Sequence, residues 1–112
     1  MNCNIKTSSF FEKELKRLAK RYRSIKSDVL SLGMSLQKDP FQGTDLGRGM
    51  RKIRMAITSK GKGKRGGARV ITLTVLVSME EADVLLLAIY DKSERENISD
   101  RELEEIRRQY AD

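Results

Sequence analysis

The chain has 112 residues, 35% of them charged and 38% hydrophobic, and carries a formal net charge of +7. This length suits a single domain spanning residues 1–112, while the lone Cys3 excludes an internal disulfide and the lack of histidine excludes a Cys/His metal cluster. No apolar run approaches the roughly 20 residues of a membrane span, and the N-terminus lacks the apolar core of a secretory signal, so we expect a cytoplasmic protein with no membrane partner.

The first part of the chain is predicted to be helical after a possible N-terminal strand, "NCNIKT". Ser9 and Glu12 have the spacing of a capping box, which predicts the start of an amphipathic helix. The apolar residues that follow recur at intervals of four and three and form one helical face. They are Phe11, Leu15, Leu18, Tyr22 and Ile25.

A second helix is predicted from near Ser27 and Asp28 to a point before Pro40. Its inward residues are Val29, Leu32 and Leu36, so the two helices form a hairpin. Gly33 lies inside this helix and costs up to about 1 kcal/mol relative to Ala. We expect close helix packing at Gly33 as the compensation.

The remainder of the chain is predicted to form three strands and a short helix. Residues 41–49 have the composition of a loop, and the strands follow as "MRKIRMAIT", "ARVITLTVLV" and "VLLLAIYDK", the last apolar on both faces and therefore central. Short connections favour antiparallel neighbours. Ser99 and Glu102 then repeat the capping-box spacing before a C-terminal helix. The predicted order is β-α-α-β-β-β-α, an α+β fold in which the helices pack against one face of a small antiparallel sheet.

Nine of the 23 basic residues lie between Asp45 and Glu80, an interval that contains no acid. They are Arg48, Arg51, Lys52, Arg54, Lys60, Lys62, Lys64, Arg65 and Arg69. Outside this interval 14 bases face 16 acids, so the basic character of the chain is local. Such a concentration favours a polyanion, because each neutralised phosphate releases counterions. The alternative is a solvated basic surface with no specific partner.

The segment "KGKGKRGG", residues 60–67, is called here the Lys/Gly loop. It lacks the spacing and the following helix of a Walker phosphate loop. Its glycines allow its cations to follow an irregular backbone such as RNA, although a flexible hairpin whose lysines aid solubility remains the alternative. The RNA-binding residues predicted in and near this loop are Arg51, Lys60, Lys62, Lys64 and Arg65.

Five residues on the predicted strands are candidates for catalysis: Lys52, Arg54, Arg69, Tyr90 and Lys92. Lys52 and Arg54 share one strand face, as do Tyr90 and Lys92. Arg69 shares the parity of apolar residues such as Ile71, so either it lies at the edge of that face or a bulge re-aims it. The alternative is that these five residues have no catalytic role and are simply cations and a tyrosine on an exposed sheet face.

Such residues suit the cleavage of RNA, which carries its own nucleophile. A 2′-hydroxyl held in line with the adjacent phosphorus needs orientation, loss of a proton, stabilisation of developing negative charge and a proton for the departing oxygen. Lys and Arg can supply much of this, whereas DNA lacks the 2′-hydroxyl and would only be bound.

The phrases "MRKIRM", "KGKGKRGGARVI", "LLAIYDKSE" and "ISDRELEEI", taken in this order, resemble the RelE/ParE superfamily of bacterial toxins, and most closely its HigB-like branch. The resemblance implies a toxin that cleaves mRNA on the ribosome, is silenced by a cognate antitoxin encoded beside it, and uses no metal or other cofactor. It also implies that Lys52, Arg54 and Arg69 lie on an exposed sheet face. Segments characteristic of the HigB-like branch are matched by Lys64, Arg65, Tyr90 and Lys92.

The chain departs from the prototype of this superfamily at two positions. Ser93 and Ser99 stand where the prototype has an Arg and a Tyr. Gyrase-poisoning members of the superfamily share the fold without nuclease activity, so fold alone does not separate the two functions. A gyrase-inhibiting toxin and a non-catalytic RNA-binding module are therefore the alternatives to an endoribonuclease.

Overall fold

The computed structural model describes residues 1–111, with the backbone alone for Ala111. Its main elements are five strands and three helices. The elements are β1 (Asn2–Thr7), α1 (Ser9–Ala19), α2 (Ile25–Lys38), β2 (Thr44–Gly47), β3 (Met50–Met55), β4 (Ala68–Leu76), β5 (Glu81–Asp91) and α3 (Asp100–Ala111). The strands form one sheet in the order β1-β5-β4-β3-β2. No helix within residues 1–111 is long and apolar enough to cross a membrane.

The sheet confirms the three predicted antiparallel strands and adds two corrections. β3, β4 and β5 are antiparallel neighbours, and β5 lies inside the sheet as its apolar sequence predicted. However, β1 pairs with β5 in parallel, so the sheet is mixed. Residues 41–49 are also not all loop, because β2 pairs with β3. Its sequence "TDLG" has no apolar alternation, so the strand rests on backbone pairing that composition does not reveal.

Helices cover both faces of the sheet, which corrects the expectation of one covered face. α1 and α2 pack on the face that presents Ile53, Val70 and Val84, where the larger core cluster lies. The C-terminal helix packs on the opposite face, with Leu103 buried beside Ile71. The second helix layer was missed because a short, highly charged helix has too narrow an apolar face to predict which side it covers.

The α3 helix is fastened at both ends by polar contacts. Ser99 caps its N-terminus as predicted, since its Oγ accepts a hydrogen bond from the Glu102 amide at 3.1 Å. Near the C-terminus, the Tyr110 hydroxyl lies 2.6 Å from Ser9 Oγ and accepts a hydrogen bond from the Phe10 amide at 3.0 Å. Glu104 pairs with Arg107 and Arg48, which lower its pKa to about 2.

The first helix begins one residue earlier than its sequence predicted. Ser8, not Ser9, caps α1, because its Oγ accepts from the Phe11 amide at 2.9 Å while donating to the Leu87 carbonyl at 2.8 Å. The helix ends at Ala19, so Tyr22 lies in the turn before α2 and is nevertheless buried.

A β-bulge in β5 changes the pairing between β4 and β5. Ile71 lies opposite Ala88 but Thr72 lies opposite Leu86, so Leu87 is the extra residue. β4 pairs with β3 without interruption over the same stretch. The bulge therefore lies on β5 and does not re-aim Arg69, which keeps the strand face it shares with Ile71.

The expectation of close packing at Gly33 is wrong. A Cβ added at this position would meet no atom within 4 Å outside its own helix and immediate neighbours. The glycine therefore lowers helix stability without a packing reason in the described residues.

We expect Gly33→Ala to raise the free energy of unfolding by up to about 1 kcal/mol, because alanine restricts the unfolded chain and favours the helix. Urea unfolding followed by circular dichroism measures the change. Gly67→Ala is the contrasting variant, since its Cβ would collide with the Met55 carbonyl oxygen, and it should destabilise the protein. A loss of stability in Gly33→Ala would contradict this interpretation.

Candidate nucleic-acid interface

Three of the predicted site residues form a row across the sheet. Arg54 on β3 lies directly opposite Arg69 on β4, which lies directly opposite Tyr90 on β5. Opposed residues of antiparallel strands point to the same face, here the face away from α1 and α2. Lys52 shares that face two residues along, opposite Ile71. The strand pairing therefore brings together four of the five predicted catalytic residues, and we call Arg54, Arg69 and Tyr90 the cross-strand row.

The row is not fully exposed, which corrects the prediction of an open sheet face. Arg69 and Tyr90 each retain only 5% of their accessible surface. The connection between β5 and α3, residues 92–99, turns back over this face, and its Ile98 is buried in the same cluster as Tyr90. Arg54, in contrast, is exposed, and no carboxylate within residues 1–111 forms an ion pair with it.

The guanidinium of Arg69 holds the Lys/Gly loop. Its Nη1 donates hydrogen bonds to the carbonyls of Lys64 at 3.0 Å and Ala68 at 3.2 Å, and its Nη2 donates to the carbonyl of Arg65 at 3.0 Å. Arg69 lies on the same strand face as apolar residues such as Ile71. These hydrogen bonds satisfy its guanidinium at the edge of that face. They also fix the path of the backbone that carries the loop cations.

Tyr90 presents a phenol with no hydrogen-bond partner among the described residues, and its hydroxyl oxygen is buried. Burial raises the pKa of Tyr90, while the charges of Arg69 and Arg95 act in the opposite direction with less effect. The phenol is therefore protonated at neutral pH and is a potential proton donor.

Lys92 directly follows the last residue of β5 and begins the 92–99 connection. Its Nζ donates to the Glu96 carbonyl at 2.9 Å, and its backbone amide donates to the Gly67 carbonyl at 3.0 Å. Lys92 thus joins the end of the Lys/Gly loop to the end of β5.

The Lys/Gly loop divides its cations into two groups. Lys62, Lys64 and Arg65 are exposed and form no ion pair with the described residues. Lys60 ends a short 3-10 turn, its side chain is only 13% exposed, and its Nζ lies 2.8 Å from Asp91 Oδ1. The expectation of a Lys60 freely available to RNA is therefore wrong, because a buried carboxylate holds that ammonium.

Asp91 is a residue next to the site that sequence reasoning missed. Its carboxylate is fully buried and accepts hydrogen bonds from the Tyr22 hydroxyl at 2.5 Å, from Lys60 at 2.8 Å, and from the Ser93 amide and hydroxyl at 3.0 and 2.8 Å. Burial by itself raises the pKa of Asp91, but these hydrogen bonds outweigh it and hold the pKa well below its usual range. The only feature of the sequence that could have indicated this role is the position of an acidic residue at the end of an apolar strand.

Arg51 lies apart from the cross-strand row. It shares a sheet side with Ile53, opposite to Arg54, and its guanidinium lies 5.5 Å from the centre of the Phe41 ring. Its Nε is buried without a hydrogen-bond partner in the described part of the chain. The structure therefore does not bring Arg51 together with the other predicted RNA-binding residues.

Two residues of the 92–99 connection join the site although the sequence did not single them out. Asn97 Oδ1 accepts a hydrogen bond from Lys52 Nζ at 3.2 Å, and Arg95 lies with its guanidinium 5.7 Å from the centre of the Tyr90 ring. No three His, Cys, Asp or Glu side chains within residues 1–111 are grouped so that they could hold a metal ion. The arrangement is a set of cations around one phenol, which suits a phosphodiester.

Residues 7–112 match the sequence model of one protein family, described as the RelE toxin of the RelE / RelB toxin-antitoxin system. The match covers all three helices and β2 to β5. It agrees with the resemblance carried by the sequence motifs at the level of the superfamily.

We expect Asp91→Asn to lower the free energy of unfolding at neutral pH by about 3 to 5 kcal/mol, because it leaves the largely buried Lys60 ammonium without a countercharge. Since the folded-state pKa of Asp91 is depressed, its contribution is present above the unfolded-state pKa of about 3.9 and is lost as the pH falls through the folded-state value. The difference between wild type and variant should therefore narrow below about pH 5.

Urea unfolding at a series of pH values measures this difference. The control is Asp83→Asn, which removes an exposed ion pair with Lys6 at 3.1 Å and should change stability little. Equal effects of the two variants at neutral pH would show that Asp91 does not have the stabilising role assigned to it.

Proposed function

Because the chain belongs to the RelE toxin family, we propose that it is the toxin of a type II toxin-antitoxin system and acts as a metal-independent, ribosome-dependent endoribonuclease. Its substrate is translated mRNA. The 2′-hydroxyl loses its proton to solvent and attacks the adjacent phosphorus, which forms a 2′,3′-cyclic phosphate as the 5′ oxygen of the next nucleotide departs. Among the branches of the superfamily we assign it to the HigB-like one, on the motifs "KGKGKRGGARVI" and "LLAIYDKSE".

The observation that carries this proposal is the cross-strand row of two guanidinium groups and a phenol. Arg54 is its exposed member and is free of ion pairs within the described residues, so it is available to a phosphate. We assign it the stabilisation of negative charge that develops on the scissile phosphate. Lys52, oriented by Asn97 from the same face, adds a second positive charge.

Tyr90 is assigned the transfer of a proton to the departing oxygen. Its raised pKa keeps the phenol protonated at neutral pH, as a general acid requires. Because the hydroxyl is buried in the free protein, a local movement of side chains around Tyr90 must accompany RNA binding, with Arg95 kept in place.

Arg69 and Lys92 are assigned to the site mainly through the loop that they hold. Three hydrogen bonds of the Arg69 guanidinium end on backbone carbonyls of the loop and its edge. Lys62, Lys64 and Arg65 extend from this backbone and bind the RNA on either side of the cut.

Ribosome dependence follows from the weakness of the site as a proton acceptor. The described cross-strand row contains no carboxylate or imidazole that can serve as a strong general base. Orientation of the RNA must then supply much of the acceleration, and a decoding ribosome holds an mRNA codon in a fixed geometry. The proposed setting is the bacterial cytoplasm, where a cognate antitoxin encoded by a neighbouring gene silences the protein.

The two serines in place of the prototype's Arg and Tyr have structural roles. Ser93 donates its hydroxyl to Asp91, and Ser99 caps α3. Because these serines replace two members of the prototype's catalytic set, that set is incomplete here. The competing function is therefore a gyrase-inhibiting toxin without nuclease activity.

We expect induced expression to produce cuts in translated messages that follow the reading frame, because the ribosome presents one codon at a time. Mapping of transcript ends soon after induction, with an untranslated reporter RNA as control, measures this. Intact messages accompanied by DNA damage would support the gyrase-inhibiting alternative, and rapid cleavage of naked RNA at physiological salt would contradict ribosome dependence.

We expect Arg54→Ala to reduce the rate of cleavage of ribosome-bound message by about 10²- to 10³-fold at saturating protein, as loss of one oxyanion contact does elsewhere. Lys16→Ala, which removes an exposed cation from α1 on the other side of the sheet, is the matched control and should cut normally. Circular dichroism checks that both variants fold. Cleavage by Arg54→Ala at the wild-type rate would remove Arg54 from the catalytic set.

A further inference from the structure

Arg95 is held in one orientation beside the proposed site although no strand carries it. Its Nε donates to the Asn97 carbonyl at 3.1 Å, its Nη2 donates to Glu102 Oε1 at 2.8 Å, and its guanidinium carbon lies 5.7 Å from the centre of the Tyr90 ring. Two hydrogen bonds and a ring contact therefore fix a side chain that is still 40% exposed.

One nitrogen of this guanidinium is left for a ligand. Nη1 makes no hydrogen bond or ion pair with the described residues, while the other two nitrogens are engaged. A guanidinium whose direction is already set loses little rotational freedom when it binds an anion. A phosphate oxygen is the acceptor that suits it best.

The position of Arg95 extends the positive charge of the site past β5. Lys52 donates to the side chain of Asn97 and Arg95 donates to its backbone carbonyl, so the two cations lie on either side of one residue. Tyr90, under Arg95, is the last member of the cross-strand row. Positive charge thus runs from Arg54 across the sheet and continues onto the 92–99 connection.

We propose that Arg95 binds a backbone phosphate of the RNA on the β5 side of Tyr90, next to the phosphate that Arg54 meets. This inference rests on the proposed function, since it names a further substrate contact of the same site. It assigns Arg95 to substrate binding and leaves proton transfer to the residues of the row.

A purely structural role for Arg95 is the competing explanation, because its ion pair with Glu102 also fastens α3. Glu102→Gln separates the two, because its amide oxygen can still accept from Nη2 and orient the guanidinium while the ion pair that fastens α3 is weakened. Arg95→Ala removes both, and Arg95→Lys keeps a charge without the planar fork. The matched control is Arg101→Ala, an exposed arginine of α3 that has no ion-pair partner in the described residues.

The experiment measures binding of each variant to ribosomes programmed with a message whose A-site codon is 2′-deoxy, which cannot be cut. We expect Arg95→Ala to weaken binding by about tenfold. The slope of the logarithm of the binding constant against the logarithm of the salt concentration should become shallower by roughly 0.7, as expected for loss of one phosphate contact to a single strand. Glu102→Gln and Arg101→Ala should bind as the wild type does, and Arg95→Lys should restore part of the affinity.

Equal losses in Arg95→Ala and Glu102→Gln would overturn the proposal in favour of a structural role, as would wild-type binding by Arg95→Ala or no binding by the wild type itself. Cleavage of the matching 2′-hydroxyl message is measured separately. Binding that depends on Arg95 without any cleavage by the wild type would reject the proposed endoribonuclease and retain the phosphate contact.

Discussion

The buried carboxylate of Asp91 is the constraint on which the geometry of the site depends. It joins three segments that are distant in sequence, through the hydroxyl of Tyr22 in the α1–α2 turn, the ammonium of Lys60 in the loop and the amide of Ser93 after β5. A charge in the core is tolerated only when it is paired and hydrogen-bonded. The hydrogen bonds that satisfy the carboxylate therefore also hold these three segments together, and the loop is restrained while Lys60 remains bound.

The cations of the basic interval consequently perform two different tasks. Lys60 and Arg69 direct their donors inward, to a carboxylate and to backbone carbonyls, and so define the shape of the loop. Arg54 and the exposed loop residues direct theirs to solvent, where a polyanion can meet them. The internal ion pair and hydrogen bonds keep the loop backbone ordered, so the exposed charges are presented from a backbone of defined shape.

Local pattern predicted the elements of the fold well, and the predictions failed where the deciding contacts are distant in sequence. The alternation of Ile53 with Arg54 identified β3, and the Ser99 cap identified α3, because both signals lie within a few residues. The parallel pairing of β1, the side of the sheet that α3 covers and the fate of Lys60 depend on partners 30 or more residues away. Asp91 shows the limit most clearly, since burial decides its role and burial is a property of the whole fold.

The single extra residue in β5 decides which side chains the strand end presents to the site. Leu85, before the bulge, and Tyr90, after it, lie on the same side of the sheet although their numbers differ in parity. In an uninterrupted strand of the same sequence, the phenol would turn inward under α1 and α2, and the carboxylate of Asp91 would share the sheet face of Arg69 and Arg54. One of the two guanidinium charges would then be paired with a carboxylate of the protein itself, and the surface would attract phosphates less strongly.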